Sequence, residues 1–285
     1  MTGKIIKGIG GLYFIETQNG IAVCKPRGIF RKDNKAPVIG DVCTVTKNDD
    51  EIGVIESIHE RKNELLRPKV SNIDQIAVVC AADSINLTLL DKYLIILEEQ
   101  NNESFSIFII INKIDLTGTK ALAKTAAIYE NIGYPAVFSS TVADCGTLSL
   151  LPFLKGKTTA FAGPSGVGKS SIVNLLCKEQ VMAVGELSKK TAKGKHTTRH
   201  AEMFKIDNDS SIIDTPGFAS LEFMDSTRNN LKEYFKEFKN YADDCRFFDC
   251  KHINEPDCAV KENVGTRINA LRYENYLNFC QKGKL

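Results

Sequence analysis

No apolar stretch in this chain is long enough to cross a bilayer. The longest runs, such as residues 107–111, stop after a few residues, whereas a spanning helix needs roughly 20. The opening MTGKIIKGIGG has no apolar centre of the kind an export signal carries, so a cytoplasmic protein without membrane attachment is expected. Charge of either sign is not in excess: Lys and Arg total 37 against 35 Asp and Glu. Whole-chain electrostatics therefore give no argument for nucleic acid, and any such contact must come from a local patch. The composition of a disordered chain is also missing, with 43% hydrophobic and 25% charged residues. The nine cysteines do not form the dense framework of a small secreted domain. They are scattered through apparent core segments (Cys43, Cys80, Cys177) except for one tight cluster near the end. That usage indicates a reducing compartment and one metal site. With 285 residues the chain has room for two domains or three small ones.

What is present centres on Gly163-Pro164-Ser165-Gly166-Val167-Gly168-Lys169-Ser170-Ser171. It fits G-x-x-x-x-G-K-[ST], a loop whose backbone N–H groups cradle phosphates. Residues 158–162 (TTAFA) read as a buried strand before it, and residues 170–178 as a helix after it. Glycines let successive N–H groups turn toward one anion, and the helix start adds partial positive charge. Lys169 is expected to reach the β- and γ-phosphates and the Ser170 hydroxyl to ligate Mg²⁺. The bland alternative is an ordinary glycine turn before a helix.

Upstream, residues 74–82 and 105–111 are near-continuous apolar runs of the kind found in parallel sheets buried on both faces. Helices are expected at 87–97 and 116–131, and a third strand at 136–138. Strands and helices alternate, which predicts a doubly wound α/β sheet with ligands at the strands' carboxyl ends. At one such end stands Asn112-Lys113-Ile114-Asp115, an N-K-x-D motif. The Asp115 carboxylate can accept from guanine N1–H and its 2-amino group, a pair of donors adenine does not offer. Asn112 can bond the purine edge, and the Lys113 stem can pack over the ring. Backbone N–H groups around Ser139 and Ser140 can meet the guanine carbonyl. Alone, N-K-x-D is more often a surface turn; beside a phosphate loop it points to GTP and GDP.

Downstream, residues 188–200 are polar and basic without apolar periodicity, the composition of a mobile loop. Thr197 or Thr198 in it could complete a Mg²⁺ shell; spacing does not choose between them. Residues 203–206 and 210–213 suggest an antiparallel pair leading to Asp214-Thr215-Pro216-Gly217, a D-x-x-G motif. Asp214 would hold Mg²⁺ through water and the Gly217 N–H would meet the γ-phosphate. Phe218 follows where a water-orienting glutamine often sits in GTPases, and a phenylalanine cannot do that task. His196 is the nearest candidate for it, against a plain role as a phosphate or RNA contact. The guanine motifs also precede the phosphate motifs, the reverse of the ordinary order. A sheet tolerates this, because the motifs need only share one edge.

Residues 1–68 read as about five short strands with glycine, proline and Asn/Asp turns, which suggests a small barrel of the OB or SH3-like type. The strands are expected at 11–17, 21–25, 42–47 and 51–58, the first two joined as a hairpin. Lys25, Arg27, Arg31, Lys32 and Lys35 surround Phe30, a combination suited to RNA phosphates and bases or, equally, to a solvated loop. Beyond residue 219 the chain reads as helical, over 231–241 and again over 259–285. Between these lie Cys245, Cys250, His252 and Cys258, three thiols and an imidazole in a short span. Four such ligands suit a closed, structural Zn²⁺ site. Buried cysteines with a locally satisfied histidine are the alternative. Cys280 stands apart from the ligand spacing and reads as packing.

Taken together, N-K-x-D, Ser139-Ser140, the phosphate loop, Gly194-Lys195-His196-Thr197-Thr198 and Asp214-Thr215-Pro216-Gly217-Phe218, in that order, resemble the circularly permuted GTPases. The flanking barrel and cysteine cluster narrow the resemblance to the small ribosomal subunit biogenesis GTPase family, over essentially the whole chain. The resemblance implies an OB-fold that binds rRNA and a GTPase stimulated by the small ribosomal subunit. It also implies a role in late maturation near the decoding region, and zinc at the four positions named above. The family's loop usually reads G-R-H-T-T-T; here the histidine is kept while Lys195 and Arg199 depart from it. The resulting expectation is an OB-fold RNA-binding domain (1–68), a circularly permuted α/β P-loop GTPase domain (69–220) and a mostly helical zinc-binding domain (221–285), acting as a monomer. Because D-x-x-G runs into the last domain, GTP state is expected to set the pose of residues 220–285. The rival expectation is a nucleotide-gated RNA-binding module in which hydrolysis is only a slow timer.

Overall fold

The computed structural model describes residues 1–28, 30, 36–46, 52–142, 148–177, 201–215 and 222–281. The expectations for residues 178–200 and 216–221, the loop with His196 and the second half of D-x-x-G among them, lie outside the described residues.

Five strands open the chain: β1 (Thr2–Ile9), β2 (Leu12–Thr17), β3 (Gly20–Pro26), β4 (Val42–Thr46) and β5 (Gly53–Ile58). Their order is β1-β2-β3-β5-β4, and pairing of β1 with β4 closes the ring. Only β3 and β5 run parallel within it. This is an OB-like barrel, filled by residues that alternate inward, including Ile5, Ile15, Cys24, Cys43, Val45 and Ile55. The expected hairpin is present, with Thr17 paired to Gly20 across a two-residue turn. β1 is a strand that sequence pattern did not mark. Its glycines lower strand propensity, but Gly3 is required: a Cβ there would lie 2.5 Å from the Glu16 carbonyl oxygen.

A short ribbon, β6 (Glu64–Leu66) and β7 (Lys69–Ser71), leads into the central sheet. That sheet uses β8 (Gln75–Ala81), β9 (Ser106–Asn112), β10 (Ala136–Phe138), β11 (Thr158–Ala162), β12 (Glu202–Lys205) and β13 (Ser211–Asp214) in the order β10-β9-β8-β11-β13-β12. All neighbours are parallel except the β12–β13 hairpin. Helices α1 (Leu87–Glu99) and α2 (Thr119–Glu130) make the crossovers. β8 and β11 are buried along their whole length because helices and loops cover both faces. Each parallel strand therefore delivers its carboxyl end to one edge. α2 starts later than its apolar pattern suggests, since Lys113 is left-handed and residues 114–116 form a 3-10 turn. The barrel continues the sheet at its β12 side through the Lys7–Glu202 pairing, with ion pairs Lys7–Glu202 (2.7 Å) and Lys205–Glu16 (2.8 Å).

After the short helices α3 (Leu151–Leu154) and α4 (Lys169–Leu176), the C-terminal region holds α5 (Asp225–Asn229), α6 (Ala259–Glu262) and α7 (Ala270–Gln281). Two details correct the helical reading. Residues 231–241 are not one α-helix but 3-10 turns, Leu231–Tyr234 and Lys236–Asn240. Phe235 is extended between them, which lets Phe235 and Phe238 stack at 5.1 Å within one core. Tertiary packing of the aromatics overrides local propensity. The span 259–281 is likewise two helices: the chain leaves α6 at Asn263, turns through Gly265 at φ 85, and restarts where the Asn269 side chain accepts from Leu271 N–H.

Candidate nucleotide and metal sites

The glycine loop between β11 and α4 is shaped by contact as well as by conformation. Gly163 has φ 133, and a Cβ there would sit 2.2 Å from the Val79 carbonyl oxygen. Gly168 has φ 97, and its Cβ would sit 2.3 Å from the Asn112 side-chain nitrogen. Gly168 also caps α4, so the helix begins at Lys169 with its first N–H groups facing the loop. Lys169 curls back, its Nζ donating to the carbonyls of Gly163 and Pro164 at 2.8 Å each. Burial lowers its pKa, opposed by the nearby Asp214 charge. Ser165, Ser170 and Ser171 are exposed, and Val167 is buried.

Asp214 ends β13 beside this loop and accepts from the Ser170 hydroxyl at 2.7 Å through Oδ2. Its Oδ1 is buried with no hydrogen-bond partner among the described residues. Burial raises its pKa, with the Ser170 bond and the Lys169 charge pulling the other way. The Ser170 hydroxyl and the Asp214 carboxylate, whose Oδ1 is buried and unshared among the described residues, are hard oxygen donors that fit a divalent cation such as Mg²⁺.

Asn112 ends β9, fully buried, and its side-chain amide donates to Val167 O at 2.9 Å. Its Oδ1 and the Ser139 hydroxyl are both buried without partners among the described residues. Lys113 adopts φ 61, a sparsely populated conformation for a non-glycine residue. It turns the chain so that Ile114 N–H donates to Ser139 O (3.3 Å) and exposed Asp115 accepts from the Ser140 hydroxyl (2.5 Å). The structure thus gathers Asn112, Lys113, Ile114, Asp115, Ser139, Ser140, Gly163–Ser171 and Asp214 at one sheet edge, although four separate strands and their following loops carry them. His196, Thr197, Thr198 and Gly217 lie outside the described residues, as do Arg31 and Lys32. Of the other basic-loop residues, Lys25 is exposed, Arg27 pairs with Glu56 at 2.6 Å, and half-buried Phe30 packs against the barrel core.

The cysteine cluster also converges. Ligand atoms of Cys245, Cys250, His252 and Cys258 lie within 4.8 Å of one another and could hold a metal ion. Sγ of Cys245 and Cys258 are 3.8 Å apart, and His252 Nδ1 stands 3.6 and 3.4 Å from them. His252 takes φ 58 to aim its ring inward, and Tyr273 holds its carbonyl at 2.8 Å. Glu255 supports the loop beneath. Partial burial pushes its carboxyl up, but N–H groups of residues 251 and 253–255 outweigh this and bring it to about 2.

One charged cluster escaped the sequence reading. Arg272 of α7 is buried between Asp91 of α1 and Glu237. Its only signal in the sequence was Asp91, a lone carboxylate inside the apolar α1 run LTLLDKYLIIL. Among the described residues no helix is long and apolar enough to cross a membrane.

Comparison with known proteins agrees with this architecture. The RsgA GTPase family profile matches residues 58–224, and the RsgA N-terminal domain profile residues 2–55. A relative from Alkaliphilus metalliredigens, named small ribosomal subunit biogenesis GTPase RsgA, is 43% identical over 96% of this chain and 95% of its own. One of the same name from Caldanaerobacter subterraneus is 42% identical over 99% and 95%. Among solved structures, YjeQ from Thermotoga maritima matches at 34% identity and TM-score 0.78, over 99% of this chain and 97% of that one. YloQ, described as a circularly permuted GTPase, matches at 32% and 0.76, over 99% and 94%. Full-length similarity at this level, on the permuted motif order and the barrel that precedes it, means that the chain belongs to the RsgA GTPase family.

Proposed function

We propose that this chain hydrolyses GTP with Mg²⁺ in late maturation of the small ribosomal subunit, where it contacts rRNA near the decoding region. The observation that carries the nucleotide part is the Asn112–Val167 bond, which ties the guanine motif to the phosphate loop. The relatives' shared name supports the ribosomal part.

Asp115, held by Ser140, accepts from the guanine N1–H and 2-amino group, while Asn112 and the Ser139 region bond the purine edge. N–H groups of residues 163–171 surround the phosphates. Lys169 leaves its two carbonyl partners for the β- and γ-phosphates, offsetting their charge as the phosphoryl group transfers. Ser170 would hold the cation directly and Asp214 through water, with Thr197 or Thr198 completing its shell and Gly217 N–H on the γ-phosphate. A Mg²⁺ ion held by these residues would supply charge neutralisation at the phosphates. His196 positions the attacking water, the task for which Phe218 is unsuited. In the C-terminal region, Cys245, Cys250, His252 and Cys258 bind one structural Zn²⁺. Tetrahedral Zn–S bonds of about 2.3 Å set sulfurs about 3.8 Å apart, the separation of Cys245 and Cys258. Lys25, Arg27, Phe30, Arg31 and Lys32 give the barrel its RNA-facing loop. The three domains take the bounds 1–68, 69–220 and 221–285, in a cytoplasmic monomer.

GTP turnover with and without purified small subunits tests the reading. Stimulation by the subunit is the expected result; turnover indifferent to it would leave only an RNA-binding module with a slow timer. His196→Ala should bind GTP normally yet lose the stimulated rate.

A further inference from the structure

The C-terminal unit packs against the sheet domain mainly along α1, with Lys236 also over the Tyr134 ring. Thr88 donates to Asn275 (2.8 Å), and Asp91 accepts from Asn275 (2.7 Å) and from Arg272. Farther along α1, Glu98 pairs with Lys236 (2.8 Å) and Glu99 accepts from Ser226 (3.0 Å). Ile95 enters the same apolar cluster as Phe235, Phe238, Tyr276 and Phe279. Behind α1, Tyr129 bonds Asp91 at 3.0 Å and its ring lies 5.5 Å from the Arg272 guanidinium. Outside this seam, Arg67 reaches the Glu222 carbonyl at 3.5 Å.

The centre of the seam is charged and dry. Asp91 is 0% exposed, Arg272 2% and Glu237 4%. Burial works against the Arg272 charge, but the two carboxylates facing it raise its pKa and hold it protonated. A buried triad of this kind need not add net stability, yet breaking it leaves an uncompensated charge, so its members stay together. One carboxylate belongs to the sheet domain's helix and the other to the C-terminal unit. The triad therefore ties α1 to the C-terminal unit.

The other end of α1 is placed differently. Ser84, Asn86, Leu89 and Tyr93 line a cavity of about 340 Å³ whose opposite wall includes Pro164 and Val167 of the phosphate loop. Asn86 caps α1 by accepting from Leu89 N–H at 2.9 Å. The first turns of α1, with Leu90 and Tyr93 buried in the core, thus share this cavity with the phosphate loop among the described residues.

We propose that nucleotide occupancy of the phosphate loop reaches the metal-binding unit through α1, with Arg272 as the positioning residue that locks helix and unit into one lever. This rests on the nucleotide reading above. It relocates the coupling from the chain link after D-x-x-G to a packed helix.

Hydrogen exchange of the full-length, metal-loaded protein, with and without GDP or a non-hydrolysable GTP analogue, tests it. Fluorescent-GDP binding, measured first, decides the nucleotide reading separately. In the wild type, nucleotide should change protection in residues 87–97 and 270–281 together. Asp91→Asn keeps a polar side chain of the same shape but removes the charge that holds Arg272. It should retain the change at residues 87–90 and lose it at residues 270–281. Arg272→Met is the second variant; should it fail to fold, Asp91→Asn still decides. Three results overturn the proposal: bound nucleotide that leaves residues 270–281 unaltered, an effect there without one in α1, or full transmission in Asp91→Asn.

Discussion

Asn112 and Val167 belong to different strand–loop units, yet the side-chain amide of one donates to the backbone carbonyl of the other at 2.9 Å. The residue that ends β9 thereby fixes the curvature of the phosphate loop, and the loop fixes the rotamer of Asn112. The N-K-x-D motif and the glycine loop share one hydrogen bond. Gly168 sits against it, which explains why that position admits no side chain.

Gly168→Ala should therefore weaken GDP and GTP binding by about tenfold or more. A non-glycine residue at positive φ costs about 1–2 kcal/mol, and here φ is 97 with the new Cβ 2.3 Å from Asn112 Nδ2. Gly166→Ala is the control: φ is 83 but nothing lies within 4 Å, so it carries strain without the clash. Fluorescent-nucleotide titration should rank Gly168→Ala clearly worse; equal losses would show that the Asn112 contact is unimportant.

Asp115→Asn should abolish discrimination for guanine. Hydrogen bonds to a charged group contribute about 1.5–3 kcal/mol each, and losing two charged acceptances corresponds to about a hundredfold or more in affinity. Ser140→Ala, which removes the 2.5 Å bond that orients this carboxylate, should cost less, about tenfold. Competition of GTP against ATP for each variant reads both effects. An Asp115→Asn protein that keeps full preference for GTP would contradict the assignment.

The permuted sheet could be read from sequence because β8, β9 and β11 are buried on both faces and so carry unbroken apolar runs. The motifs at their ends could be read because phosphate and guanine chemistry fix residue types at fixed spacing. β1 could not, since Gly3 is selected by a neighbouring backbone rather than by strand propensity. The Arg272 cluster could not either. Its members, Asp91, Glu237 and Arg272, lie far apart in the chain, and only the folded core makes them partners. The 3-10 turns around Phe235 have the same origin: burial of aromatics, not local preference, sets their geometry.

Purified protein should carry about one zinc per chain, and Cys258→Ser should lose it. The four ligands lie within one short loop that holds no helix or strand of its own, so metal binding would supply folding free energy to it. Metal analysis together with calorimetry should show a C-terminal transition that falls on zinc removal, while GDP binding at the phosphate loop persists. A thermogram unchanged by a strong chelator that strips the metal would remove the structural role.

Asp74 gives a prediction for pH. It stands where the barrel, the ribbon and the sheet meet, accepting from Thr158 N–H (2.8 Å) and Lys62 Nζ (2.7 Å). Partial burial pushes its carboxyl up. The Lys62 bond, the Thr158 N–H and the charges of Lys62 and Lys4 outweigh that and leave it below the ordinary carboxylate range. A carboxylate depressed in the folded state contributes stability that is fully present above the unfolded pKa of about 3.9 and is lost as pH falls through the lower folded value. Asp74→Asn should thus be less stable than wild type at neutral pH, and the gap should close as pH drops below about 4. The side chain is 38% exposed, so solvent screening keeps the neutral-pH gap modest. Urea melts of both proteins between neutral and acid pH measure it. A gap that stays constant across that range would mean that shape rather than charge at Asp74 holds the seam.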